Sequence, residues 1–416
     1  MKRREILKLA GAALLAGCAT PGTARARIVV VGGGFGGATA AKYLRMWHPA
    51  TEVVLVERAA TYDACPISNL VLAGFAAPQE ARCGYSAIAA QGVRVIADAV
   101  TQVDAARRRV RLARGGELAY DRLVLAPGLD FSYGEIEGYE AAMRAGRVLH
   151  AWDAGEQTLA LRRQLEQMRP GGVFVISIPP APFRCPPGPY ERASLVAAYL
   201  KRANPRAKVL VLDANPDITS KGALFRKAWA DLYAGTIEYR PNCLAVGFDA
   251  ASSTLKLEVE DVRGDVMNVI PPQRAAAIAQ QAGVVTHNGR WCDVDWRSME
   301  STAVPGVHLL GDATLAAPAM AKSASMANNH AKLAAAAIIE LLAGRAPEPE
   351  PRILNTCYSF VSRDEAIHVT SVHAWSGRER TLRIVPGSSG VSAARSAREA
   401  VFARAWERTI LADSLG

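Results

Sequence analysis

The chain has 416 residues, of which half are hydrophobic and a fifth are charged, as is typical of a globular protein of two or three domains. Its formal net charge is +10, but residues 1–26 hold five basic residues against one acidic residue. The rest of the chain has no long basic run with interleaved aromatic residues, which argues against nucleic-acid binding.

The N-terminus, residues 1–26, has the pattern of a twin-arginine export signal. Arg3 and Arg4 precede a short apolar stretch and a run of small residues. We therefore expect a periplasmic protein, with two processing routes open. One is cleavage near Ala26, and the other is a lipid anchor at Cys18, which ends a lipoprotein-box pattern and would tether the protein to a membrane.

The first predicted unit is a strand, a glycine-rich turn, a helix and a second strand. The β-branched residues 27–31 predict a buried strand, and Gly32, Gly34 and Gly37 follow with GxGxxG spacing. Such glycines allow a tight turn, approach of the backbone to a pyrophosphate, and close packing of helix on strand. Glu57 ends the second strand, where it can accept hydrogen bonds from ribose hydroxyls, so the unit predicts a dinucleotide site.

Two later segments favour FAD as that dinucleotide. Ala126 and Gly128 lie in a small-Pro-Gly turn after an apolar strand, and Gly311 and Asp312 follow another strand. In flavoproteins with two dinucleotide folds, the first segment crosses between domains and the aspartate of the second holds the ribityl chain. Lys322 is a candidate to stabilise negative charge on reduced flavin, with a solvated surface lysine as the alternative.

A second strand–turn–helix–strand unit carries a proline-rich turn where a nicotinamide domain has its phosphate loop. The turn spans residues 181–191 and contains Cys185. Prolines have no amide hydrogen to donate to a phosphate, and their fixed φ prevents the tight glycine turn. We therefore expect the fold of a nicotinamide domain without NADH binding.

These patterns predict an α/β protein with two Rossmann-like dinucleotide-binding domains, an FAD domain and a degenerate NAD-type domain, followed by a C-terminal α+β domain. The predicted boundaries are residues 27–137 and 271–346 for the FAD domain, 138–270 for the degenerate NAD-type domain, and 347–416 for the C-terminal domain.

Six cysteines follow Cys18, and none has CxxC or CxxCH spacing. We therefore expect neither a zinc or thioredoxin-type site nor a c-type haem on this chain. Cys185 and Cys357 are the candidate reactive pair, because Cys185 occupies the ligand-facing turn of its domain. Two ordinary buried cysteines or a structural disulfide are the alternatives. The cysteines expected to be structural are Cys83, Cys243 and Cys292.

The chain resembles the flavoprotein subunit of flavocytochrome c sulfide dehydrogenase. Its most specific match is the run Arg-Cys-Pro-Pro-Gly-Pro-Tyr-Glu-Arg-Ala at residues 184–193. The other matching segments are residues 32–43, 150–158, 270–275, 291–292, 311–313 and 355–359.

The resemblance implies a periplasmic heterodimer with a c-type cytochrome subunit that oxidises sulfide. It implies a redox disulfide between Cys185 and Cys357 beside FAD, and a covalent bond between Cys65 and the flavin. Sulfide would open the disulfide, leaving a persulfide on one cysteine and a thiolate on the other, and electrons would pass through FAD to haem on the partner. Glu191 is a candidate for proton handling, or simply a helix-dipole acid.

Two other functions stay open. A sulfide:quinone oxidoreductase shares the fold but needs an apolar membrane patch, whereas residues 393–416 are interrupted by charged side chains. A non-catalytic flavoprotein that docks a cytochrome is the second. The proline-rich turn disfavours an NADH-dependent disulfide reductase.

Overall fold

The computed structural model describes residues 25–416. Arg3, Arg4 and Cys18 lie outside the described residues, so export and lipidation remain predictions. Within residues 25–416, no helix has the length and apolar character needed to cross a membrane.

The largest sheet has seven strands and a parallel centre. Arg27–Val31 pairs in parallel with Glu52–Glu57 on one side and with Arg122–Leu125 on the other. This register brings the ends of the strands, and the turns that follow them, to one edge of the sheet. The spatial order of the strands is Val294–Asp295, Glu300–Ser301, Val307–Leu309, Arg122–Leu125, Arg27–Val31, Glu52–Glu57 and Arg94–Ala97.

Two helices pack against each other beside this sheet, Phe35–Trp47 and Ala324–Leu342. Their contacting faces are rich in buried alanine, which lets the two backbones approach closely. The β-branched residues of Arg27–Val31 are almost fully buried between the layers. The predicted strand and helix are therefore held by packing on both faces of the sheet.

The second parallel sheet has four strands and builds the second Rossmann-like unit. Helix Gly188–Ala203 connects two of its neighbouring parallel strands and so forms a βαβ unit. The strand order is Ile237–Arg240, Lys208–Asp213, Val173–Ile178 and Val266–Val269. A short ladder, Leu129–Phe131 with Gln273–Ala275, joins the segments that run between the two parallel sheets.

The C-terminal part is an antiparallel sheet covered by a helix, Ala397–Ser414. The strands of this sheet are Arg352–Phe360, Ala366–Ser376, Thr381–Ile384 and Gly390–Val391. Together with the two parallel sheets, this confirms the predicted α/β class with two Rossmann-like units and a C-terminal α+β part.

The other elements are short connectors around these layers. The remaining helices are Cys65–Ala73, Ser86–Ala90, Tyr139–Arg144, Glu156–Glu166, Gly222–Leu232 and Ala277–Gln281, with 3₁₀ turns at Pro78–Ala81, Tyr133–Glu135 and Gly311–Ala313. The remaining strands are Thr61–Asp63, Arg82–Gly84, Val100–Asp104, Arg109–Leu112, Glu117–Ala119, Ala245–Asp249, Thr254–Leu257 and Asp261–Arg263.

One helix begins a few residues earlier than the sequence analysis predicted. The helix after the proline-rich turn begins at Gly188, within residues 181–191 that the sequence analysis assigned to the turn. Pro189 lies in its first turn, where a missing amide hydrogen breaks no intrahelical bond. Proline therefore marks the start of this helix and does not delay it.

Candidate functional site

The glycine-rich turn is sterically specified at two positions. Gly32 has φ of +96°, and a Cβ placed there would lie 2.3 Å from the carbonyl oxygen of Ala126. A Cβ on Gly37 would lie 1.8 Å from the carbonyl oxygen of Gly32. Only glycine fits at either position, so the turn closes tightly against the segment that holds Ala126 and Gly128.

The same turn opens a helix N-terminus suited to a phosphate group. Gly34 is the N-cap of Phe35–Trp47 and provides no capping side chain, so the first amides of the helix stay available to a ligand. A Cβ on Gly34 would meet nothing closer than the Tyr62 ring at 3.5 Å. Glu57 lies beside the turn and accepts hydrogen bonds from the amides of Gly33 at 2.6 Å and Ala59 at 2.9 Å. These residues fit the pyrophosphate and ribose of FAD.

Asp312 and Lys322 lie close together in the segment that follows strand Val307–Leu309 of the large sheet. Gly311, with φ of +67°, begins the turn that carries Asp312. The Lys322 ammonium donates to the Asp312 carbonyl oxygen at 2.9 Å and lies 3.7 Å from the centre of the Trp291 ring. Burial lowers the pKa of Lys322 to about 8. The lysine is therefore buried, and the surface alternative for it is wrong.

Cys185 is held by the Lys322 segment. Its amide donates to the Lys322 carbonyl oxygen at 2.8 Å, and its own carbonyl accepts the Gly188 amide at 2.8 Å. Cys185 adopts a left-handed conformation, with φ of +57°, which is uncommon for a residue with a side chain. A Cβ on Gly188 would lie 2.8 Å from the Cys185 sulfur. Glycine at position 188 therefore makes room for this thiol.

Cys357 reaches the same place from the C-terminal sheet. Its sulfur lies 3.4 Å from Asn355 Oδ1, which also accepts the Ser323 hydroxyl at 2.8 Å. Burial raises the pKa of the Cys185 thiol, and the neighbouring Cys357 raises it further. Both cysteines are free thiols in the structure. Cys185 and Cys357 are thus linked to the adjacent residues Lys322 and Ser323, and the disulfide between them remains a prediction.

Glu191 is buried behind Cys185 with both carboxylate oxygens occupied. One accepts the Phe360 amide at 2.7 Å, and the other accepts the Asn69 amide group at 2.9 Å. Burial raises its pKa, and these hydrogen bonds oppose the rise. Asn69 in turn accepts from the buried Arg192 guanidinium at 2.9 Å. Glu191 is therefore fixed in orientation by a network that the sequence reading did not find.

Cys65 begins the helix Cys65–Ala73, and its sulfur lies 3.8 Å from the Trp152 carbonyl oxygen. Arg184 donates to the same carbonyl and places a guanidinium nitrogen 3.8 Å from the Asp312 carboxylate. Cys65 is therefore on the same side of the site as Asp312, where the prediction of a flavin bond requires it.

The second dinucleotide position is filled by the protein itself. Asp213, at the end of strand Lys208–Asp213, is fully buried. Its carboxylate accepts the hydroxyls of Tyr190 at 2.6 Å and Tyr239 at 3.0 Å, and the side-chain amide of Asn215 at 2.7 Å. An acid saturated in this way has no exposed oxygen for a ribose, which supports the expectation that this unit does not bind NADH.

The other three cysteines lie in or against hydrophobic cores. Cys292 is fully buried in the core of the large sheet, where burial raises its pKa to about 12. Cys243 belongs to a separate core, and Cys83 is partly buried against the core of the large sheet. These surroundings agree with the expected structural roles.

Lys221 is a residue of the site that carries no clear sequence signal, whereas Asn355 lies in the matching segment 355–359. Lys221 lies in a polar loop and would be expected in solvent, yet it is buried and donates to the Cys357 carbonyl oxygen at 3.1 Å. Arg184 and Arg192 could have been identified from the sequence, because both belong to the family-matching run that contains Cys185.

Family models match three parts of the chain. The central domain of the sulfide dehydrogenase (flavocytochrome c) flavoprotein chain matches residues 158–271, and the flavin-binding domain of flavocytochrome c sulphide dehydrogenase matches residues 349–415. The pyridine nucleotide-disulphide oxidoreductase model matches residues 26–167.

Individual proteins give the same picture. The sulfide dehydrogenase (flavocytochrome c) flavoprotein chain of Chlorobaculum thiosulfatiphilum is 58% identical over 45 residues, 11% of this chain and 94% of that sequence. Mitochondrial sulfide:quinone oxidoreductase of Mus musculus is 24% identical over 300 residues, 69% of this chain and 65% of that protein. The sulfide:quinone oxidoreductase structure from Aquifex aeolicus shares the fold, with a TM-score of 0.78 and 16% identity over 94% of this chain and 92% of that one.

Gly34→Ala tests the phosphate cradle. The new Cβ has room within the protein, but it would stand where a pyrophosphate meets the helix N-terminus. We expect normal folding with flavin occupancy lowered by about tenfold or more, measured from the flavin absorbance per protein after gel filtration. Gly390→Ala, where a Cβ also meets nothing, is the matched control. Full flavin occupancy in Gly34→Ala would contradict the assigned site.

Glu407 provides a pH test of burial near Glu191. It lies on Ala397–Ser414, and burial raises its pKa to about 7, with Arg404 opposing the rise. A raised carboxyl pKa penalises the folded state fully above pH 7, and the penalty is lost as pH falls from 7 towards the ordinary value. Glu407→Gln should therefore stabilise the protein at pH 8 by up to about 3 kcal/mol, and by much less at pH 5.

The measurement is urea unfolding of both proteins at the two pH values. The variant Glu258→Gln, at an exposed position, is the control. It should leave the free energy of unfolding unchanged at both pH values. An equal effect of Glu407→Gln at pH 8 and pH 5 would show that the carboxyl does not titrate as assigned.

Proposed function

The chain belongs to the family of flavocytochrome c sulfide dehydrogenase flavoprotein chains, and on that premise we propose that it oxidises sulfide and passes the electrons through FAD to a c-type cytochrome subunit. The observation that carries the proposal is that Cys185 and Cys357, from two separate elements, are both linked to residues 322–323. The Cys185 amide donates to the Lys322 carbonyl oxygen, and Ser323 donates to the same Asn355 side-chain oxygen that lies 3.4 Å from the Cys357 sulfur. Two cysteines far apart in the chain that are linked to one segment at a ligand-binding edge fit a reactive pair.

The proposed reaction begins with the pair as a disulfide. HS⁻ forms a new bond to one sulfur, the bond between Cys185 and Cys357 breaks, and its electron pair stays on the other sulfur as a thiolate. Flavin, when bound, can accept an electron pair and release the electrons one at a time, which suits a haem acceptor. A second sulfide or a polysulfide would take the outer sulfur of the persulfide and leave a second cysteine thiolate. The two thiolates would then reform the disulfide, with the electron pair accepted by the bound flavin.

The chain's own groups prepare the site for this chemistry. Glu191 is buried and rigidly held behind Cys185, where its raised pKa lets it hold or release a proton near the thiols. The Lys322 ammonium, beside Asp312, places positive charge where a reduced cofactor would carry negative charge. The half-buried Cys65, at the start of its helix, is the proposed point of covalent attachment.

The cofactor, partner and location follow from the same proposal. The flavin is FAD, bonded at Cys65, and the haem is carried by a cytochrome partner and not by this chain. The chain would be exported by the twin-arginine pattern of residues 1–26 and would work in the periplasm, with an anchor to the membrane only if Cys18 is lipidated.

A sulfide:quinone oxidoreductase is the second candidate, favoured by the similarity to the mitochondrial enzyme of Mus musculus. On the C-terminal helix, Val401 and Phe402 are exposed, but arginines at positions 398, 404 and 408 lie close to them. This charge disfavours deep insertion in a membrane. Reduction of cytochrome c, compared with reduction of a soluble quinone, separates the two functions.

Sulfide titration under anaerobic conditions tests the reaction. We expect the flavin absorption of the wild type to bleach, and we expect Cys185→Ser and Cys357→Ser to bleach at least about 100-fold more slowly, because neither can form the disulfide. Cys243→Ser, which keeps a donor for the Pro241 carbonyl, is the control and should bleach normally. A wild type that sulfide does not bleach would favour a flavoprotein that only docks a cytochrome.

A further inference from the structure

Lys221 is a buried lysine beside the cysteine pair. It precedes helix Gly222–Leu232 in a left-handed conformation, with φ of +58°, and its residue is 7% exposed. Its ammonium donates to the Cys357 carbonyl oxygen at 3.1 Å and to the Ser359 hydroxyl at 2.8 Å. Both partners lie on the strand that carries Cys357, so the charge is fixed to that strand.

This ammonium has no carboxylate partner within 4.0 Å in the part of the chain that the structure describes. A buried charge without an ion-pair partner is costly to keep. Burial lowers the pKa of Lys221 to about 8, and Cys357, Glu191, Cys185 and Glu399 oppose this in decreasing order. The group with the strongest opposing effect is thus a cysteine and not a carboxylate.

The two cysteines differ in how strongly their surroundings stabilise a thiolate. Burial raises the pKa of Cys357, and the Lys221 ammonium, fixed on the same strand, is the largest influence that opposes the rise. Burial raises the pKa of Cys185, and the Glu191 carboxylate raises it by more than Lys221 lowers it; repulsion between the two cysteines is common to both and does not distinguish them. A thiolate is therefore better stabilised on Cys357 than on Cys185.

We propose that Lys221 is the positioning residue that holds the thiolate on Cys357 when the disulfide opens, so that incoming sulfide bonds to Cys185. The inference rests on the proposed sulfide oxidation and names the direction of its first step. HS⁻ forms the bond to the Cys185 sulfur and keeps its proton, the disulfide bond breaks, and the electron pair leaves with the Cys357 sulfur. Of two sulfurs in a disulfide, the one with the better-stabilised thiolate leaves faster.

The first test needs no sulfide. Flavin-loaded protein is reduced with dithiothreitol, freed of reductant and alkylated with iodoacetamide across a pH series, and the Cys357 peptide is quantified by mass spectrometry. Lys221→Met should raise the apparent pKa of Cys357 by about one unit or more and slow its alkylation at pH 8 by about tenfold. Lys227→Met, an exposed lysine on the same helix that pairs with Asp231, should leave the profile unchanged.

The second test locates the incoming sulfur in the wild type. One equivalent of sulfide is added to the oxidised protein, the products are trapped with iodoacetamide, and peptides are mapped for the added sulfur. We expect it on Cys185, and finding it on Cys357 would overturn the proposed direction.

The outcomes separate this inference from the function on which it rests. An unchanged Cys357 profile in Lys221→Met refutes the role of Lys221 even where sulfide bleaches the wild type. A wild type that sulfide does not bleach refutes the function and with it the step, whatever the alkylation shows. Thermal melting and flavin content of Lys221→Met establish that the variant is folded and flavin-loaded, so that a changed alkylation profile reports on the thiol and not on misfolding.

Discussion

The hydrogen bond from the Cys185 amide to the Lys322 carbonyl oxygen connects the two halves of the site. Cys185 belongs to the turn of the second parallel sheet, whereas Lys322 follows Asp312 on the edge of the first. The Lys322 ammonium contacts the Asp312 carbonyl through its other end. One residue therefore fixes both the thiol and the aspartate, and a shift of either sheet would separate them. The left-handed backbone of Cys185 is the local strain that this arrangement requires.

Buried positive charge is the common property of the residues around this bond. Arg192, Lys221 and Lys322 are all buried, and Arg184 is largely so. Arg192 is satisfied by neutral oxygens, including the carbonyls of His150 and Ala151. Such cations are costly in a protein interior unless anions form among them. Thiolates, persulfides and a reduced flavin are anions, so this charge distribution suits chemistry that generates them.

The parts of the site that depend on residues close together in the chain could be predicted from the sequence. The glycine turn was predictable because its GxGxxG spacing between a strand and a helix is local, and Gly37 meets the carbonyl oxygen of Gly32, five residues away. Lys221 was not predictable, because its burial depends on the strand of Cys357, far along the chain. The hydrogen bonds of Glu191 to Asn69 and Phe360 are equally long-range, and its assignment from the sequence could not go beyond a first-turn acid.

The second Rossmann-like unit keeps the fold of a dinucleotide-binding domain, but the edge where the dinucleotide would bind carries a cysteine. The carboxylate of its strand-end acid, Asp213, accepts four internal hydrogen bonds, and its helix N-terminus uses the Gly188 amide to hold the Cys185 carbonyl. Both features that would bind a dinucleotide are thus consumed by the protein. The edge of a parallel sheet remains the place where side chains converge. A thiol at that edge lies where a cofactor would bind, and the prolines of the turn have no amide hydrogens to donate to a phosphate. For this reason, the loss of one ligand and the gain of a cysteine are a single structural change.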